Sequence, residues 1–179
     1  MFSIDQIADV LRDQNDVGGD TLGMGNPKAL NQMQGHHAVI FDNMNTTMYI
    51  STQDWQLGTF VGYDLSEIFA SKQINISDTI TQSKFLDTPE FKLFKLHKKL
   101  EKKLVNCLSS ETMTLTTEDI ALYISANSES FTTYESLGNY YQSKGQKESA
   151  ISMFDIALTK TLPSIQVRDR ISNKLNLNN

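Results

Sequence analysis

The chain of 179 residues is 39% hydrophobic and 21% charged, a balance that suits a soluble globular protein and excludes a disordered or membrane-embedded one. Its net charge of −5 hides an asymmetry, because residues 1–70 hold nine acids against Arg12 and Lys28 while residues 71–179 hold twelve acids against fourteen bases. An acidic front half lacks the clustered Lys and Arg that neutralise phosphates, so no nucleic-acid partner is expected, and the change near residue 70 marks a candidate domain boundary.

No run approaches the roughly 18 apolar residues of a bilayer span, so no membrane partner is expected. The opening MFSIDQIADVLRDQ has neither the basic nor the apolar region of a signal peptide. The chain as written is therefore expected in the cytoplasm, with export of a full-length parent left open. A single cysteine, Cys107, excludes an intrachain disulfide and a multi-Cys zinc site.

Residues 3–14 carry the pattern of an amphipathic helix. Ser3 and Gln6 match a capping box, Ile4, Ile7, Ala8 and Leu11 share one face, and Asp5, Asp9, Arg12 and Asp13 are expected to face away. Residues 15–27 hold Gly18, Gly19, Gly23 and Gly25 and predict a connecting loop. The GMGN in it lacks the spacing of a phosphate-binding loop, and no cofactor is implied.

The densest stretch is GHHAVIFDNMNTTMYISTQDWQLGTFVGYDL, residues 35–65. Ala38 and Ile40, then Met48 and Ile50, alternate about an Asp42-Asn43-Met44-Asn45 turn, which predicts a β-hairpin. A third strand, 59–63, follows a pivot at 55–58, and a short helical turn starts near Asp64. Residues 71–87 show no period and predict a linker or long loop.

From Thr88, with Pro89 at the first helical position, a long helix is expected. Its apolar stripe reads Leu93, Leu96, Leu100, Leu104, Cys107 and Leu108, and its six lysines between Lys92 and Lys103, with Glu90 and Glu101 interspersed, are expected to form a solvated face in preference to a basic contact patch. Thr116 or Thr117 caps the next helix, through Ala126. The positions Tyr134, Leu137, Gly138, Tyr141, Gly145, Ala150, Phe154, Ala157 and Pro163 then fall close to tetratricopeptide spacing. They predict one helix pair over 131–163, with Gly138 and Ala150 small where the helices cross, and a third helix over 164–175. A single pair does not make a peptide-binding solenoid, which needs about three repeats.

The succession LRDQ (11–14), GGDTLGMGN (18–26), NQ (31–32), HHAVIF (36–41) and STQDWQLGTFVGYDL (51–65) resembles the C-terminal part of the penicillin (isopenicillin N) acyltransferase-like hydrolases. These are relatives of choloylglycine hydrolase in the N-terminal-nucleophile superfamily. The resemblance covers residues 1 to about 70. It implies an α+β chain: part of an αββα sandwich over 1–70, then 71–87 as linker, then a helical tail over 88–179. It also implies amide chemistry in which an N-terminal cysteine attacks and its own α-amine acts as base. That cysteine is not on this chain, since Cys107 falls on the apolar stripe of a helix, where a thiol is buried and inert.

No catalytic residue and no metal ligand is therefore assigned here. Candidate substrate contacts are Asn31 and Gln32, whose amides suit an oxyanion or substrate carbonyl, His36 and His37 beside the first strand, and Trp55 with Gln56 in the pivot. The resulting expectation is a fragment of an amide hydrolase or acyltransferase, inactive without a companion chain bearing an N-terminal Cys. Two rivals remain: an interaction protein that docks a partner through an apolar groove on its helical tail, and a truncated product with an uncovered sheet.

Overall fold

The first helix begins where Ser3 predicts. The Ser3 backbone N–H donates to Gln6 Oε1 (2.8 Å) and the Gln6 N–H to Ser3 Oγ (3.2 Å), closing the capping box. The computed structural model describes residues 2–110 and 112–178, apart from the side chains of Asp54 and Asn178. Helix α1 runs Ile4–Leu11, shorter than expected, with Arg12 as its C-cap. It lays Ala8 on a four-stranded antiparallel sheet, with Ile4 and Leu11 beside it, while Ile7 stays exposed.

The sheet is a meander of β1 (Val39–Asp42), β2 (Thr47–Ser51), β3 (Phe60–Asp64) and β4 (Ile76–Ile80) in sequence order. Asp42 builds the first turn. Its carboxylate accepts from the Met44 and Asn45 N–H groups (3.0 and 3.2 Å) and from Asn45 Nδ2 (2.7 Å), the local bonding that suits Asp to turns.

Two features go beyond the sequence pattern here. In β2 the inward residues are Thr47, Tyr49 and Ser51, and Met48 and Ile50 stand on the other face. Alternation reveals a period but not which phase is covered, and Ile40 pairs with Tyr49. Residues 71–87 are also more than a linker. α2 (Leu65–Ser71) leads into β4, and a 3₁₀ turn follows at Lys84–Asp87. Only Ile80 of β4 is buried, so this strand is recruited by its ladder to β3 rather than by its own apolar pattern.

The two sheet faces differ in kind. Against α1 stand Ile40, Tyr49, Phe60 and Ile80, and the Tyr49 hydroxyl donates to Asp78 (2.9 Å) with its ring over Gly62, where a Cβ would meet it at 2.8 Å. On the opposite face the register aligns Val39, Ile50, Val61 and Thr79 in one row and Phe41, Met48, Tyr63 and Ile76 in the next. This second face carries no charge, yet Phe41 is 60% and Ile76 65% exposed.

α3 (Pro89–Leu108) starts at Thr88, whose Oγ1 accepts from the Phe91 N–H (3.2 Å). It buries Phe91, Phe94, His97, Leu100, Leu104 and Cys107. The expected stripe is thus rotated in its first half: Leu93 is 44% exposed, and two aromatics and a histidine take the inner face. α3 packs its start against Met33 and Leu57 and its end against α4 (Thr117–Ala126) and α5 (Phe131–Ser143). Thr116 caps α4 in a second capping box with Asp119.

α5 and α6 (Lys147–Thr159) form the expected hairpin, turning at Gly145, which takes the left-handed φ of +71°. A Cβ on Gly138 would lie 2.4 Å from the Phe154 ring, so only glycine permits that crossing. α7 (Ile165–Asn178) closes the end, tied by a fork in which Arg170 Nε and Nη2 donate to Glu135 (3.0 and 2.7 Å) and Lys174 Nζ adds a third bond (2.8 Å). No helix of the described residues is long and apolar enough to cross a membrane.

Candidate functional site

The sequence-predicted site residues lie on two loops, 31–37 and 53–58, that the fold presses together. Asn31 is buried and does the joining. Its Nδ2 donates to the Trp55 carbonyl (2.7 Å), its Oδ1 accepts from the Met33 N–H (3.0 Å), and its own N–H donates to Asp13 O (2.8 Å). The Trp55 N–H donates to Gly35 O (2.9 Å). The Gln56 amide rests on Gly35, where a Cβ would come within 2.9 Å of Gln56 Nε2.

This junction holds unusual backbone. Met33, Trp55 and Gln56 have φ of 50°, 63° and 65°, a region that side-chain-bearing residues rarely enter. Each such residue costs on the order of 1–3 kcal/mol and persists only where its surroundings over-determine it. Here they do. The Trp55 ring packs edge-on to Phe91 and Phe94 (centroids 5.9 and 5.3 Å), and Met33 sits in the same cluster with Leu57.

A residue that sequence reasoning placed in solvent completes the junction. The Arg12 side chain is 8% exposed. Its Nε donates to Gln56 O (3.2 Å) and its Nη2 to Gly58 O and Thr81 O (both 2.9 Å), and the guanidinium lies 5.3 Å above the Phe60 ring. Burial draws the Arg12 pKa below its ordinary value, while Asp9 and Asp5 pull it up. The available signal was its place in the LRDQ block, directly before the glycine-rich passage.

The six candidates divide by role. Asn31 is consumed by the fold and Trp55 is half-buried packing. Gln32 is exposed, with Nε2 donating to Pro27 O (3.1 Å). His36 and His37 lie outside β1 and are both exposed. Gln56 is half-buried. The fold thus brings Asn31, Trp55 and Gln56 into contact and leaves Gln32, His36 and His37 on the same connecting loop facing outward.

Cys107 is fully buried in the α3–α5 core. His97, which sequence reasoning passed over, is also buried. It stacks on Tyr123 (4.2 Å, 9°) and donates from Nδ1 to the Tyr123 carbonyl (3.1 Å), and burial lowers its pKa. It borders a small cavity of about 90 Å³ that Gln32 also lines. Among the described residues, no group of three His, Cys, Asp or Glu side chains is placed to hold a metal ion.

The glycine-rich passage ties this region to the helices. Asn127 accepts from the Met24 N–H (3.0 Å) and donates to Met24 O (2.8 Å), and Asn26 donates to Thr161 O (3.0 Å). Gly23 lies so close to α5 that a Cβ would stand 2.4 Å from Ser130 N. Compared with family models, curated proteins and solved structures, the chain matches none.

Proposed function

We propose that this chain is the non-nucleophilic portion of an N-terminal-nucleophile acyltransferase or amide hydrolase, and that it works with a companion chain bearing an N-terminal cysteine. The observation that carries this reading is the layering of the sheet. One face is covered by α1, and the other presents eight uncharged side chains in two cross-strand rows, with Val39, Phe41, Ile76 and Thr79 exposed and Met48, Ile50, Val61 and Tyr63 half-buried. A helix, a sheet and an open apolar face are half of an αββα sandwich, and a second sheet packed face to face at about 10 Å is the layer that completes it.

In that assembly the thiol of the companion's first residue attacks the amide carbonyl. The adjacent α-amine, which titrates near neutrality, takes its proton. The tetrahedral oxyanion then needs fixed N–H donors. The strained 31–37/53–58 junction is this chain's contribution: Asn31 and Trp55 hold the loops, and Gln32, His36, His37 and Gln56 contact the substrate. Cys107 has no part in the reaction, because it is sealed in the helical core.

The interaction-module reading has less support. It calls for an apolar groove on residues 130–175, where Ile165 is the one large apolar side chain exposed among the described residues, and α5 is buried along most of its length. The test is to isolate the protein from its native source and determine the mass and N-terminal residue of every polypeptide in the particle. A partner beginning with Cys, together with amidase activity that a thiol reagent abolishes, is the expected result. A monodisperse particle of this chain alone, without activity, overturns the reading.

A further inference from the structure

A second region has the features of a binding site and owes nothing to the acyl-transfer reading. Where the glycine-rich passage, the start of α3 and the end of α4 meet, they leave a cavity of about 300 Å³, at the lower end of the range for small-molecule sites. Its apolar walls are Met24, Phe85, Leu93 and Ala126. Leu93 is the leucine whose spacing predicts a core position, and its exposure reflects the empty space in front of it.

The walls are preformed. The paired Asn127–Met24 hydrogen bonds fix one side, the close approach of Gly23 to Ser130 fixes the depth, and the Asn15–Thr21 bridge braces the rim. The charged side chains of the lining have one sign. The charged residues of the lining are Glu90 and Glu129, with no Lys, Arg or His among them. Lys160, outside the lining, pairs with Glu129 at 3.2 Å. The C-terminal end of α4, at Ser125 and Ala126, also faces the space and adds the negative pole of a helix.

We propose that this cavity binds a compact organic cation: an apolar body seated between Met24, Phe85 and Leu93, with an ammonium group turned to Glu90, Glu129 and the end of α4. The apolar walls set the size of the body, and the excess of negative charge at the mouth sets the sign of the head.

The test compares three probes of one shape on the full chain: phenethylammonium, 2-phenylethanol and 3-phenylpropionate, followed by NMR of the Met24 methyl and the Gly23 amide. Phenethylammonium is expected to shift both signals and to bind at least tenfold more tightly than 3-phenylpropionate, with the alcohol between them. Glu90→Gln with Glu129→Gln should weaken the ammonium severalfold and leave the alcohol unchanged. Leu93→Trp, which fills the space from an exposed position, should abolish binding of all three while the melting temperature is retained. Equal affinity for ammonium and carboxylate, shifts confined to other residues, or no binding at millimolar probe overturns the proposal.

Discussion

At the scale of single residues, Arg12 is the position on which most of the loop junction depends. Its guanidinium reaches three carbonyls that lie 44, 46 and 69 residues away in the chain. Removing it leaves the part-buried Gln56 and Gly58 carbonyls without this donor, at about 1–3 kcal/mol each, while the exposed Thr81 carbonyl turns to water. Arg12→Ala should therefore destabilise the fold by roughly 3 kcal/mol or more in urea titration. Arg12→Lys should recover less than half of the loss, because an ammonium cannot span the fork that a planar guanidinium fills. Full rescue by lysine would mean that charge alone matters there. The same junction shows why Trp55 and Gln56 tolerate left-handed backbone: Asn31, Gly35 and Arg12 each bond a neighbouring peptide group, so no single contact has to bear the strain.

At the scale of elements, two buried ionisable groups contribute to the acid response of the helical part. Burial pushes the Glu135 carboxyl up, but the hydrogen bonds from Arg170 and Lys174 outweigh it and hold the carboxyl below its ordinary value of 4.5. That stabilisation is present above the unfolded value and is lost as pH falls through the depressed folded one, which loosens α7 from α5. His97 is lowered by burial from its ordinary 6.5, with Glu101 and Lys98 as the nearby charges. Its contribution is intact above pH 6.5 and declines as pH falls below that, because the unfolded chain binds the proton first. Stability against pH should therefore fall in two stages. His97→Phe, which keeps the stack on Tyr123, should flatten the stage that begins near 6.5. Glu135→Gln should reduce the one that begins below 4.5, to which Asp119, drawn down to about 2 by hydrogen bonds from Lys103 and Thr116, also contributes. Unchanged pH curves in either variant would show that other groups govern that stage. The helix hairpin between them rests on shape rather than charge, through Gly138, Ala150, Phe154 and Ala157.

At the scale of the whole molecule, the open sheet face decides how the chain behaves in isolation. It leaves Val39, Phe41 and Ile76 exposed side by side, and a contiguous apolar patch marks an interaction surface. The chain should bind an apolar dye such as ANS and self-associate with rising concentration. Replacing Phe41 and Val61 together by Lys should cut dye binding severalfold and suppress association, with little change in melting temperature. Ile40→Ala, on the covered face, should cost about 2–4 kcal/mol and leave the dye signal as it was. Equal loss of stability from the outward pair would show that this face is already packed.

The local signals in the sequence determined most of the helical half. Ser3, Thr88 and Thr116 cap their helices as side-chain oxygens that accept from the first turn. The small residues of the α5–α6 hairpin specify its crossing within a span of about twenty residues. These outcomes depend on neighbours three or four positions away or on the facing helix next in sequence, so a single chain read in order contains them. What only the tertiary structure decided concerns partners brought from afar. Strand alternation at 47–51 has two phases, and the covering layer chose Tyr49 over Met48 and Ile50. β4 exists because β3 offers it a free edge, a fact absent from NISDTI itself. Arg12 has the pattern of a solvated charge until three distant carbonyls surround it, and Leu93 has the pattern of core until the space before it is left unfilled. Burial belongs to the packing of layers and not to the segment, and that is where reading the chain alone stops.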